Sequence, residues 1–313
     1  MCQEAQGVVL LVHERPDLDA IGSQLGLYYL LKSFDIPVQM YSKDPAPRIS
    51  HYLIGSDLIH SGDQGAAVVD GCDLLISLDC GSKGRLSLSS EMFEGRKLIN
   101  IDHHASNRNF GDVNVVDASF CATGALIYDM ICSLNLPISS ACASALFAAI
   151  LTDTHRFYKA DAAVFRMAAD LIDHGANSSL ATEEIYGRVS ENQLHLLQES
   201  LQTLKIRDQG CSSWITVDAA MMQRCGVDYE DTEGLIDYAR NIDGIKVAVF
   251  MRHDAVDVWK VSMRGQGYNV SRIAESLGGG GHLYAAGCTM HGSQEEICAI
   301  LQMKVRALLE ENV

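Results

Sequence analysis

Four clusters of aspartate and histidine mark this 313-residue chain: His13-x-x-x-Asp17-x-Asp19, Asp79, Asp102-His103-His104, and Asp153 in the segment LTDT. Carboxylates and imidazoles without thiolates suit Mn2+, Mg2+, Fe2+ or Co2+ better than a soft cysteine site does. Six candidate ligands are too many for one catalytic ion that keeps open positions, and about right for two ions sharing a bridging carboxylate. Such a pair holds a hydroxide and clamps a phosphoryl oxygen for in-line attack. Carboxylates gathered without cations would repel one another, and two divalent ions neutralise them. Each cluster also has an ordinary reading. Asp79 alone would be a helix cap or turn residue, Asp17 and Asp19 could cap the following helix, and His103-His104 alone would be surface or core histidines. The case for a site is that four clusters with one compatible chemistry all fall at the ends of predicted elements.

Those elements alternate in type. Val8–Val12 is a continuous apolar run, the mark of a strand buried on both faces, and the spacing predicts a helix over Ala20–Phe34. Further strands are expected at Pro37–Ser42, Asp73–Leu78 and Lys97–Ile101. Strands alternating with helices imply βαβ units and a mostly parallel sheet. Ligands of open α/β sheets bind outside the carboxyl ends of the strands, where three of the four clusters fall. From Ala122 to about Lys205 the pattern is almost wholly helical: Ser139–Leu151, Asp161–His174 with Gly175 as C-cap, and a long segment from Glu184 to Leu204. Glu183 and Glu184 read as first-turn charges of a helix. Strands return at Cys211–Val217, Ile245–Arg252 and Val256–Arg264, the last two joined by a His253-Asp254-Ala255 turn. A short helix Val270–Leu277 and a closing helix Gln294–Glu311 complete the chain. Trp214 and Trp259 read as strand core, or as platforms for a base.

The expected fold class is therefore α/β with two domains: an N-terminal mostly parallel sheet flanked by helices, and a smaller C-terminal α/β domain. The expected boundaries are residues 1–185 for the catalytic domain, 186–208 for a helical connector and 209–313 for the second domain.

Hydrophobic residues make up 48% and charged residues 20% of the chain, the profile of an ordinary globular protein. The net charge of −16 argues against a coat for long duplex DNA and against an anionic membrane surface. It leaves room for a local cationic pocket or for bound metal ions. Of ten cysteines, none in a C-x-x-C, most read as buried thiols. No stretch approaches 18 uninterrupted apolar residues, and Val8–Val12 is too short for a signal peptide. The expectation is a soluble, cytoplasmic protein.

HERPDLDAIGS (13–23), LDCG (78–81), IDHH (101–104) and LTDT (151–154) resemble, in order, the four motifs of the DHH phosphoesterase superfamily. GGGGHLYAAG (278–287) resembles the glycine-rich motif of its associated C-terminal domain. The size and layout are similar to the NanoRNase (NrnA)-like branch and to cyclic-dinucleotide phosphodiesterases. The resemblance implies a dimetal site in the N-terminal domain and a cleft between the domains for substrate. It implies that His13 and Asp17 hold one metal, Asp19, His103 and Asp153 the other, and that Asp79 bridges. His104 would contact the scissile phosphate and protonate the leaving oxygen, with Asp102 orienting histidine. Arg264 and His282 would grip the nucleotide or its terminal phosphate, with Asn269, Ser271 and Arg108 as further candidates. Gly278 to Gly281 have their own reading: a turn stripped of side chains lets backbone N–H groups approach an anion, which would make Gly279, Gly280 and Gly281 substrate contacts. The alternative is a flexible linker. Leu18 departs from the small residue usual between the two motif acids, and either points away from the ligands or narrows the entrance.

The function expected from these readings is hydrolysis of oligonucleotides of two to five nucleotides, or dinucleotides, to mononucleotides, with phosphatase activity on 3′-phosphoadenosine 5′-phosphate. The cofactor would be two divalent ions, Mn2+ by preference, with Mg2+, Fe2+ and Co2+ open. A homodimer is compatible with the family. The alternatives are a cyclic-dinucleotide phosphodiesterase and a non-catalytic nucleotide-binding regulator. The GGGGH element argues against a family II pyrophosphatase, and 313 residues leave no room for the extra domains of a RecJ-type exonuclease.

Overall fold

The computed structural model describes residues 1–158 and 160–311. The chain divides into two compact units, Met1–Arg188 and the part from Val189 onward. In the first, strands β1 (Val8–Leu11), β2 (Val38–Ser42), β3 (His60–Ser61), β4 (Leu74–Leu78), β5 (Lys97–Asp102) and β6 (Val113–Val116) form one sheet in the order β3-β2-β1-β4-β5-β6. Every pair is parallel, with Val8 opposite both Val38 and Leu74. The helices are α1 (Leu18–Lys32), α2 (Gly65–Val69), α3 (Thr123–Ser133), α4 (Ser140–Asp153), α5 (Ala162–Asp173) and α6 (Ser178–Thr182).

Both faces of the sheet are covered, so β1 needs no polar alternation. Val8 and Leu10 pack into the core built with α1, α3, α4 and α5, while Val9 and Leu11 join Leu75, Leu98 and the α2 residues Val68 and Val69 on the other face. The strand order reverses between β1 and β4. That reversal opens a crevice at the carboxyl ends of the two strands, and His13 and Asp79 lie just beyond those ends.

Helices α1 and α4 approach closely beside this crevice. A Cβ on Gly22 would sit 2.5 Å from the Ala145 carbonyl oxygen, and one on Gly26 would sit 2.4 Å from a Leu146 methyl. Leu18, between the two motif acids, is 1% exposed and belongs to this core, so it points away from the ligands and does not narrow the entrance.

The second unit holds α7 (Glu191–Gln202), β7 (Lys205–Arg207), β8 (Ser212–Val217), α8 (Ala219–Cys225), α9 (Leu235–Arg240), β9 (Val247–Ala255), β10 (Val258–Gly265), α10 (Ser271–Ser276), β11 (Gly280–His282), β12 (Ala285–His291) and α11 (Gln294–Glu310). Its sheet runs β11-β12-β10-β9-β8-β7, and within it β8 and β9 are the parallel pair. Val247, Val249 and Met251 face α10 and α11, whereas Ala248 and Phe250 face α7, α8 and α9. No helix among the described residues is long and apolar enough to cross a membrane.

Three expectations need correction. The long helix from Glu184 to Leu204 is broken. Residues Glu183–Gly187 make a separate π-helical turn, and Glu183 and Glu184, the acids that begin it, pair with Arg188. The Ser190 hydroxyl accepts from the Gln193 N–H while the Gln193 side chain accepts from the Ser190 N–H, a reciprocal cap that begins α7 afresh. The hairpin after β9 turns at Val256-Asp257 rather than at His253–Ala255, with Asp257 in the left-handed region at φ 55°. The glycine run is not a flexible linker. Gly280–His282 pairs with β12 as an edge strand.

A glycine-to-alanine change inside a helix ordinarily gains up to about 1 kcal/mol. Gly22→Ala is expected to lose about 1–3 kcal/mol instead, because its methyl meets the backbone of α4. Urea denaturation of the full-length protein checks this, and a stabilised variant would refute the close crossing.

Candidate metal centre

The sheet's carboxyl edge gathers the predicted acids. Donor atoms of His13, Asp17 and Asp79 lie within 4.8 Å of one another, as do those of Asp19, Asp79 and His103, and those of Asp79, Asp102 and His104. Asp79 is common to all three groups. Its carboxylate lies 3.7 Å from His13 Nε2 through one oxygen and 3.7 Å from His103 Nε2 through the other. It follows β4 directly in a left-handed conformation at φ 54°, where it caps no helix. Aspartate tolerates that region better than bulky residues do.

His103 Nε2 stands 3.7 Å from Asp19 Oδ2, 3.7 Å from Asp79 Oδ1 and 3.4 Å from Asp153 Oδ2. Its other ring nitrogen lies 3.2 Å from the Phe120 carbonyl, which accepts an Nδ1–H and leaves the Nε2 lone pair aimed at the three carboxylates. Asp153, the last residue of α4, is 28% exposed, while Asp19 and Asp79 are buried. Asp17 has two roles at once. It is the N-cap of α1, accepting from the Ala20 N–H at 3.0 Å, and it stands in the His13 group.

Asp102 is fully buried and orients its neighbours. Its Oδ1 accepts from the His103 N–H at 2.9 Å and from His104 Nδ1 at 2.7 Å, and its Oδ2 accepts from the Asn107 amide at 2.5 Å. Burial opposes a charged His104 ring, but the hydrogen bond from Asp102 and the charges of Asp79 and Asp102 lift its pKa to about 9. Burial together with the charges of Asp79 and Asp153 raises the Asp19 carboxyl well above the usual range. Asp153 is pushed up to about 6 by burial, against the pull of His103. Asp79 goes the other way: burial works against its charge, but the three histidines hold its carboxyl below the ordinary value.

Several contributors carry no motif. Helix α3 has no side-chain cap of its own, and Asp19, 104 residues earlier in the chain, takes that place. Its two oxygens accept from the N–H groups of Thr123 at 2.8 Å and Gly124 at 3.0 Å, while the Thr123 hydroxyl donates to Asp79 Oδ1 at 2.9 Å. The signal available in the sequence is the small-residue start Ala122-Thr123-Gly124. Asn107 ties Asp102 to Asn100 and to the Cys80 carbonyl.

The exposed Arg108 donates its backbone N–H to the Gly81 carbonyl. In the second unit Arg264 is the last residue but one of β10, opposite Ala285 and Ala248. Its Nη1 donates to the Met263 carbonyl at 3.2 Å, while its Nε is buried with no partner. Burial lowers the pKa of this guanidinium. His282 lies on β11. Gly279 and Gly281 are needed for close approach to β12, since their Cβ atoms would meet carbonyl oxygens of Gly287 and Ala285 at 2.1 and 2.6 Å, whereas Gly280 opens to free space. The Asn269 side-chain oxygen accepts from both the N–H and the hydroxyl of Ser271, so this pair stabilises the turn into α10. Trp214 and Trp259 are buried core residues, the first donating to the Ser212 hydroxyl and the second packed on His253, so neither is a base platform.

A parallel sheet whose switch-point crevice holds five aspartates and three histidines has the donor set of a divalent-metal centre, hard oxygen with imidazole nitrogen and no thiolate. The DHH family N-terminal domain matches residues 7–150 and the DHHA1 domain matches residues 217–310. The chain belongs to the DHH family. It is 33% identical over 293 residues to the bifunctional oligoribonuclease and PAP phosphatase NrnA of Thermus thermophilus, covering 91% of this chain and 84% of that protein. It is 25% identical over 298 residues to the Bacillus subtilis protein of the same name, covering 92% and 90%. Among solved structures, an exopolyphosphatase-related protein from Bacteroides fragilis superposes with a TM-score of 0.88 at 25% identity, over 97% of this chain and 93% of that one.

Protons on Asp19 and Asp153 compete with a cation, so affinity must fall as pH falls through the Asp153 pKa of about 6. Calorimetric titration with Mn2+ is expected to give binding at least about tenfold weaker at about pH 5.5 than at about pH 7.5, with proton release on binding. Equal affinity at both would remove these carboxylates from the ligand set.

Proposed function

We propose that this protein is a metal-dependent phosphodiesterase that hydrolyses oligonucleotides of about two to five nucleotides to mononucleotides and also removes phosphate from 3′-phosphoadenosine 5′-phosphate. The observation that carries the reading is Asp79, one carboxylate shared between a His13–Asp17 group and an Asp19–His103 group. The relatedness to the NrnA proteins supports the substrate class. The net charge of −16 favours a small substrate held locally over a long polymer gripped along its backbone.

In this reading His13 and Asp17 would hold one ion, Asp19, His103 and Asp153 would hold a second, and Asp79 would serve both, with Mn2+ the preferred metal. Divalent ions bound there supply a lowered water pKa and neutralise charge on phosphoryl oxygens. The chain's own groups do the rest. The α3 N-terminus fixes the Asp19 carboxylate, and the Thr123 hydroxyl fixes Asp79. Asp102 holds the His104 ring by Nδ1 and keeps it protonated, so that Nε2 gives its proton to the leaving oxygen. Arg264 is the substrate contact of the second unit: a guanidinium with an unpartnered buried Nε is ready to take an anion. Ten unpaired thiols support a reducing, cytoplasmic setting.

Turnover of a matched panel with Mn2+ tests the reading: linear two- to five-mers, cyclic dinucleotides, 3′-phosphoadenosine 5′-phosphate and pyrophosphate. The highest kcat/KM is expected on the linear two- to five-mers. Preference for a cyclic dinucleotide would move the protein to second-messenger signalling, and no turnover of any substrate would leave a binding module. Asp79→Asn, which tolerates the left-handed backbone, is expected to lower kcat by at least about a thousandfold with the fold intact by circular dichroism. Arg264→Ala is expected chiefly to raise KM, and an unchanged KM would remove it from the substrate site.

A further inference from the structure

Asp17, Asp19, Asp79, Asp102 and Asp153 crowd a site whose substrate is itself anionic. Arg85 brings a guanidinium to this cluster, with Nη2 3.0 Å from His13 Nδ1. It is held there by the loop after β4. The Glu14 N–H donates to the Arg85 carbonyl at 2.8 Å, the Ser87 hydroxyl donates to Glu14 at 3.0 Å, and Leu86 anchors the turn in the core at 1% exposure. Arg85 as a whole is exposed, and one of its guanidinium nitrogens engages the site.

His13 Nδ1 has two neighbours with opposite demands: the Glu14 carbonyl at 2.8 Å can only accept, and Arg85 at 3.0 Å can only donate. One ring nitrogen cannot serve both, so His13 is a poor anchor for the guanidinium.

We propose that Arg85 is a substrate contact: its guanidinium, a cation set beside His13 at a site crowded with aspartates, turns its planar fork to the non-bridging oxygens of the substrate phosphate. The inference rests on the phosphodiesterase reading and assigns to Arg85 the cationic contact next to the cleaved bond. A guanidinium that only orients His13 would behave differently, and the test separates the two.

Inorganic phosphate is titrated calorimetrically into the Mn2+-loaded full-length protein and its Arg85→Gln and Arg85→Lys variants, alongside Mn2+ titrations and thermal melts. The expected result is Mn2+ affinity within about twofold of the parent, with phosphate binding weakened about tenfold or more in Arg85→Gln and partly restored in Arg85→Lys. Unchanged phosphate affinity overturns the proposal. So does a parallel loss of Mn2+ affinity or of folding, which would make Arg85 a support for His13, and so does a parent that binds no phosphate. Because the readout is binding, failure of the oligonucleotide reading, seen as absent turnover by the parent, is distinguishable from failure of the Arg85 contact.

Discussion

Like charges confined in a place of low dielectric govern this structure. Asp19, Asp79 and Asp102 are each almost wholly withdrawn from water, and Asp153 lies within 3.4 Å of the histidine they share. Such a group ionises only where donors and cations offset the loss of solvation. The chain supplies fixed donors for part of it: two amides at the start of α3, one threonine hydroxyl, and the amide of Asn107. The oppositely shifted carboxyls of Asp79 and Asp19 express the balance that remains, since the histidines crowd one and the other carboxylates crowd the other.

The rest of the first unit makes that confinement possible. A parallel sheet ends its strands on one side, and a reversal of strand order between β1 and β4 leaves a gap there that helices do not cover. Helix α1 must carry Asp19 into the gap while α4 carries Asp153 to meet it. Gly22 and Gly26 let the two helices approach closely enough. Packing and chemistry are thus coupled through positions that touch no donor atom.

Much of this was legible in the residues. The unbroken apolar run of β1 announced a strand covered on both faces, and acids at the ends of β1, β4 and β5 announced a common edge. What stayed hidden was non-local. Thr123 has no motif, because its role depends on an aspartate 104 residues away. Arg85 looks like any charged turn residue until the turn is seen tied to Glu14. The interruption before α7 was missed because apolar spacing continues across it, although the Ser190–Gln193 cap is written in the sequence. Strands β3 and β7, of two and three residues, are too short for periodicity to register.

The capping of α3 by Asp19 makes two backbone amides part of the centre without giving them any chemistry to perform. Thr123 and Gly124 donate to the two oxygens of a single carboxylate, so its charge and placement are felt directly at those protons. Fraying of that first turn and loosening of the carboxylate are one local event. The chemical shifts and exchange rates of these two amides are therefore a built-in gauge of the centre, readable on the unaltered protein with no label placed among the reacting groups.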